Sequence, residues 1–317
     1  MTAILNKISG EFNLVVTKPD GSTYETGWFS NIITNAGFDR MMAASNTMTV
    51  GYATVGTGTS APTATQNALD NKIGGTSATW SNITSSTSGN PSYIATHTFT
   101  FVFTQGAVVG NITEVGIGWA STGPGSLWSR ALTLDNSGSP ITLTLTSIDQ
   151  LTIYYRVSIA PTVTDTTGTV VISGTPVNYT IRLGNAASFT GVGSWAVNNN
   201  SSGPFAGSYL FPAYPNINTY GGTVALPALT APNMTATTVL NEQPARTSPA
   251  YVNGTYYTDT TWSWGASLAN HTGGSLSGIT MSWGINSYIS YHILFGTPIL
   301  KTNSKTLTLT TRLAWSR

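Results

Sequence analysis

The chain has 317 residues, of which only 7% are Asp, Glu, Lys or Arg, and its formal net charge is +1. That balance excludes the basic footprint of a nucleic-acid binder. A hydrophobic content of 40% with so little net charge also excludes an intrinsically disordered chain.

Cysteine is absent, so there are no disulfides and no thiolate metal sites. The amino-terminal segment lacks the apolar run of a signal peptide, and no stretch approaches the roughly 18 apolar residues of a membrane helix. The expectation is a protein made in a cytosol without a membrane anchor of its own. Thr, Ser, Asn and Gly stand where charge is missing, while 9 Trp, 14 Tyr and 10 Phe supply apolar area for a core.

In chain order, Pro19-Asp20-Gly21 marks a first turn. From Asn35 to Ala44, Phe38, Met41 and Met42 recur at helical spacing and predict a short helix; a second helix is expected to start near Thr65 and hold Leu69. Phe99, Phe101 and Phe103 alternate with Thr98, Thr100 and Val102, as a half-buried strand does. In Ile112–Trp119 the parity differs between Ile112 and the rest, so Val115, Ile117 and Trp119 are expected inward, with a bulge or strand start near Thr113. Ile141–Thr146 and Thr306–Thr310 alternate cleanly. Val170-Val171-Ile172 does not, and predicts a short strand buried on both faces.

Between about residues 185 and 238 the chain is rich in Gly, Pro, Asn and aromatics and predicts long, ordered loops. Phe205, Tyr209, Phe211, Tyr214 and Tyr220 there are candidate subunit or partner contacts, with packing against their own domain as the other reading. The class is all-β.

The two halves echo each other. Ile112–Trp119 reads against Leu276–Trp283, Leu151–Val157 against Leu307–Leu313, and Phe99-Phe101-Phe103 matches Trp262-Trp264 in kind. The expectation is a diverged duplication giving two tandem antiparallel β-sandwich, jelly-roll-like domains, residues 1–160 and 161–317.

No phosphate-cradle, dinucleotide or hydrolase-elbow motif occurs, and His97, His271 and His292 are scattered. Asp135-Asn136 could offer calcium ligands but reads first as a hairpin turn. Glu114 stands out, because a carboxylate in so apolar a strand needs a partner, which Arg130 or Arg156 could supply. Arg156 and Arg312 occupy the same place in the two halves. These point to structural ion pairs; no catalytic residue, cofactor or metal is assigned.

Three segments carry a resemblance: Trp28–Asp39, Val55–Gln66 followed by Leu69, and Asn111–Gly118 with Leu127–Leu132 behind it. They resemble virion proteins of tailed bacteriophages, especially tail-fibre and related tail or baseplate proteins. The resemblance implies a non-enzymatic structural component of the virion tail, a fibre, baseplate or tail-tip part. Its expected partners are itself, as a homo-oligomer with a trimer preferred, other tail proteins, and a host surface glycan or receptor. The alternatives are a capsid decoration or neck protein, and a carbohydrate-binding module; an enzyme acting on surface polysaccharide has least support.

Overall fold

The computed structural model describes residues 3–43, 50–78, 84–87, 93–120, 125–185, 217–247, 249–271, 274–283 and 289–317. The first half begins with β1 (Ala3–Thr17), β2 (Thr23–Glu25), β3 (Phe29–Ser30), β4 (Ile32–Ile33) and the helix α1 (Asn35–Ala43). It continues with β5 (Tyr52–Gly56), β6 (Lys72–Ser77), β7 (Thr84–Thr87), β8 (Ala95–Phe103) and β9 (Gly110–Ile112). β10 (Glu114–Gly118), β11 (Leu127–Leu132), β12 (Leu143–Leu145) and β13 (Gln150–Pro161) complete it. The second half holds β14 (Thr166–Ile172), β15 (Thr175–Gly184), β16 (Ile217–Ala225), β17 (Thr235–Glu242) and β18 (Ala245–Thr247). It ends with β19 (Tyr257–Trp264), β20 (Ser275–Trp283), β21 (Ile289–Leu300) and β22 (Leu307–Ser316). The protein is all-β.

The strands form a nine-stranded sheet, β18-β19-β22-β1-β13-β8-β7 with β2 and β3 also on β1, and two smaller sheets. These are β4-β11-β10-β5-β6 and β14-β15-β21-β20-β16-β17; β12 and β9 make a separate ribbon. Alternation explains which face each strand buries. On β1 the even positions Ile4, Ile8, Phe12, Leu14 and Val16 are all at most 4% exposed, and on β13 Leu151, Ile153, Tyr155, Val157 and Ile159 face the same core.

The division expected between residues 160 and 161 is not a division between sheets. β22 runs parallel to β1, with Ala3 opposite Arg312 and Lys7 opposite Ser316, so one sheet spans both halves. The physical reason lies in β1, whose inner face is apolar apart from Asn6 and is buried along its length. Its first edge pairs β13, and its second is shared between β22 at residues 3–7 and β3 and β2 at residues 11–17. The buried Asn6 on that inner face accepts a hydrogen bond from Tyr291 Oη of the second half at 2.9 Å.

The helix starts where Thr34 caps it. Thr34 Oγ1 accepts the Gly37 N–H at 2.9 Å and donates to the Leu127 carbonyl at 2.6 Å. The middle of the helix is held by the second half: Asp39 Oδ1 accepts hydrogen bonds from Tyr251 Oη and the Gly254 N–H, each at 2.7 Å.

Strand order and register repeat between the halves. β4, β5, β6, β10 and β11 pair with one another as β15, β16, β17, β20 and β21 do, and β7-β8-β13 is matched by β18-β19-β22. Leu151 faces Phe103 and Ile153 faces Phe101, as Leu307 faces Trp264 and Leu309 faces Trp262. Gly116 faces Arg130 and Ile32 faces Arg130, as Thr280 and Arg182 both face His292.

Three local expectations are corrected. No helix forms near Thr65; the segment from Thr57 to Asn71 is an irregular loop whose backbone N–H groups bond a side chain, as described below. Val171 is 65% exposed rather than buried on both faces, because β14 is an outer strand that, among the described residues, pairs only with β15, through the Ser173-Gly174 turn, both residues at positive φ. Of the expected loop region, residues 186–216 lie outside the described residues, while residues 217–238 hold β16 and the start of β17, where Gly222 at φ 76° accommodates a register shift that disguised the strand pattern. By contrast, the chain does break at Thr113: Ile112 belongs to the β12–β9 ribbon and Val115 and Ile117 are fully buried, while Trp119 is half-buried. Ile279 and Met281, their counterparts, are buried too; the side chain of Trp283 lies outside the described residues.

Candidate functional site

Glu114 and Arg130 face the same side of the five-stranded sheet, away from the main core, on neighbouring strands β10 and β11. Both side chains are completely buried, and Arg130 Nη2 lies 2.8 Å from Glu114 Oε2. What buries them is the loop from Thr57 to Asn71, folded back over the sheet.

The loop is held by its own backbone. Glu114 Oε1 accepts the N–H groups of Gly58 and Asn71, each at 2.9 Å, and Oε2 accepts that of Asp70 at 3.1 Å. Arg130 Nε also donates to Glu114 Oε2 at 2.9 Å. The remaining Arg130 donors reach Gln66 Oε1 at 2.8 Å, Ser60 Oγ at 3.3 Å and Asp70 Oδ2 at 2.7 Å. The Ser60 hydroxyl donates to Asp70, and this bond, with the Arg130 charge beside it, holds the Asp70 carboxyl below the usual carboxylate range. Thr113 Oγ1 donates to the Gly58 carbonyl at 2.8 Å, and the Asn35 N–H reaches the Ala64 carbonyl at 2.7 Å, joining the loop to β10 and to α1. A buried charge pair with its lone pairs and protons filled this way is a fixed structural centre, and both Glu114 oxygens are occupied.

Two glycines make room for it. A Cβ on Gly56 would fall on Glu114 Oε1, and one on Gly58 would sit 2.5 Å from both Glu114 Oε1 and Asp70 Cβ. Since Glu114 cannot move without losing its donors, Gly58→Ala is expected to cost about 1–3 kcal/mol by overpacking. Gly265→Ala, where nothing lies within 4 Å, should stay within about 0.5 kcal/mol of wild type. Urea unfolding of the two variants side by side checks this; equal midpoints would refute the packing argument.

Beneath the pair, β11 carries a bulge: the register slips between Ile117 and Gly118, leaving Trp128 as the extra residue. Its ring is fully buried and Nε1 donates to Tyr155 Oη on β13 at 2.8 Å, joining the two sheets of the first half.

The equivalent register positions in the second half carry different chemistry. His292 stands at Arg130's register position and Gly278 at Glu114's. His292 Nε2 contacts the Ala231 carbonyl at 3.1 Å and Nδ1 contacts Thr280 Oγ1 at 2.7 Å, while the Asn185 N–H bonds the Ala231 carbonyl at 2.8 Å, as Asn35 bonds Ala64. Burial pushes the His292 pKa down.

Of the other singled-out residues, Arg156 does not approach Glu114. It pairs Glu11 on β1 at 2.6 Å and lies 4.2 Å over the Trp28 ring; Arg312 pairs Asp259 at 2.7 Å and lies 3.5 Å over Tyr257. Tyr220, read as a contact residue, is fully buried in its own chain and its hydroxyl donates to Asn233 at 3.2 Å. Phe205, Tyr209, Phe211 and Tyr214 lie outside the described residues. The Asp135 carboxylate is spent on its own turn, accepting the N–H groups of Ser137 and Ser139. Ser60, Gln66 and Asp70 were not singled out as ligands of the ion pair. Their signal was the spacing of Gly56 and Gly58 before a polar turn, which fits a loop that must approach a side chain closely.

Comparison with protein-family models, with curated proteins and with solved structures found no match to this chain.

Proposed function

We propose that this protein is a non-enzymatic structural component of a bacteriophage tail, built as a diverged duplication of one eight-strand unit and assembling as a homo-oligomer. One observation carries the reading. The three segments that resemble phage tail proteins, residues 28–39, 55–66 with Leu69, and 111–118 with 127–132, converge on the Glu114–Arg130 centre, its covering loop and the capped helix beside it. They serve as a folding motif, which suits a scaffold, and the carboxylates they bring together are engaged by Arg130 and backbone N–H groups. The repeated strand order and register support the duplication, with the two units sharing β1. A carbohydrate-binding reading has Trp28 in its favour, at 36% exposure, but Arg156 already covers one face of that ring.

Gold-labelled antibody against the purified chain, imaged on intact particles of the phage that encodes it, tests the proposal. Label on the tail is the expected result. Label confined to the head would establish the decoration reading instead, and unlabelled particles would overturn both.

A further inference from the structure

The six-stranded sheet ends in two strands that differ from every other sheet edge among the described residues. β14 pairs only β15, and β17 pairs only β16. They are seven and eight residues long. β14 has no charged residue, and the single acid of β17, Glu242, is buried and accepts the Ala269 N–H at 2.6 Å. Elsewhere β6 opens with Lys72, β18 carries an exposed Arg246 over three residues, and β4 and β7 span two and four residues. Short length and edge charge are how sheets block further pairing; β14 and β17 use neither.

An open edge dictates its occupant, because its free N–H and C=O groups are satisfied in register only by another strand. Here the two edges fit each other. Every pairing in the sheet is antiparallel and the strands number six, so a second copy placed head to tail brings its β17 antiparallel to β14. The faces also match. Thr167, Thr169 and Val171 are the exposed positions of β14, and Thr235, Thr237 and Val239 are exposed on β17. With Thr169 opposite Thr237, Thr167 faces Val239 and Val171 faces Thr235, all β-branched pairs of the kind that stabilise neighbouring strands. The half-buried Val170 and Gly168 then face Ala236 and Thr238, extending the inner face of the sheet. A net charge of +1 per copy leaves little repulsion to oppose the contact.

We infer that β14 of one copy pairs with β17 of the next, so that the six-stranded sheet continues from copy to copy. The interface is heterologous, and closing it makes a ring in which neither edge stays open. This rests on the oligomeric part of the function proposed above and names the surface that builds it.

Because the chain has no cysteine, disulfide trapping reads the contact directly. T169C and T237C are made separately in the full-length protein, at exposed positions, with N303C as a control for random collision. Circular dichroism confirms that each variant folds. Under mild oxidation a mixture of T169C and T237C should give a covalent dimer well above the N303C background, and neither variant alone should. The double variant T169C/T237C should give a ladder ending at one ring size. Equal cross-linking of T169C alone would mean that like edges pair, and would overturn the inference. An oligomer seen by light scattering with no cross-link above background would also overturn it, leaving the tail assignment to the labelled particles. A monomer that gives no cross-link removes both this interface and the homo-oligomer, again without touching the particle labelling.

Discussion

Arg130→Met is expected to destabilise the protein by about 3–5 kcal/mol, the usual consequence of leaving a fully buried charge without its partner. Glu114 keeps three backbone donors in the variant but loses the cation that neutralises it, and Asp70, Gln66 and Ser60 lose their common donor. The informative comparison is the double variant Glu114→Leu/Arg130→Met. Many buried ion pairs can be exchanged for apolar residues at little cost. Here the exchange strands the N–H groups of Gly58, Asp70 and Asn71, and each unsatisfied group is worth about 1–3 kcal/mol. The double variant should therefore be no more stable than Arg130→Met. Denaturant unfolding of the three proteins measures it, and recovery of wild-type stability in the double variant would reduce the centre to a simple charge pair.

Acid should unfold this protein early, and His97 should account for the largest single share. It lies on the inner face of β8 in series with Phe99, Phe101 and Phe103, is 1% exposed, and neither ring nitrogen has a hydrogen-bond partner among the described residues. Burial lowers its pKa to about 4 from 6.5. The unfolded chain then binds a proton that the folded chain refuses, so stability is intact above pH 6.5 and falls as pH drops toward 4. The loss for this group is about 3 kcal/mol. Burial moves His271 and His292 in the same direction, so some acid sensitivity persists without His97. His97→Leu is expected to raise stability at pH 7.5 by about 1–3 kcal/mol, by removing unsatisfied polar atoms from the core, and to flatten the decline between pH 6.5 and 4. Melting temperatures across that range test both, and an unchanged slope would remove His97 from the account.

Parity made much of this legible in the sequence. It separated the inward Val115 and Ile117 from Ile112, forced the break at Thr113, and set Phe99–Phe103 against the core. The apolar character of its strand, rather than parity, marked Glu114 as a carboxylate needing a partner. Parity says which face a side chain takes and nothing about which strand lies alongside. The pairing of β1 with β22 was therefore hidden, and so was the edge position of Val171. The covering loop was hidden for another reason. It contributes backbone N–H groups, which every residue but proline owns, so no composition signals them. Gly56 and Gly58 were its only trace, and they could also have been read as ordinary turn residues.

The position of β1 also governs the order in which the protein can form. Hydrogen bonds between residues 3–7 and 312–316 close a loop of almost the whole chain, the least local contact available to it. The entropy of such a closure is lost before the contact returns anything, and folds dominated by distant pairings are slow to assemble. β1 can dock on β13 early, but residues 3–7 keep a bare backbone edge until β22 arrives. For that interval a charge-poor, threonine-rich chain has a strand ready to accept any neighbour. Crowded refolding should thus favour misassembly through β1, and dilute, slow refolding should favour the native sheet.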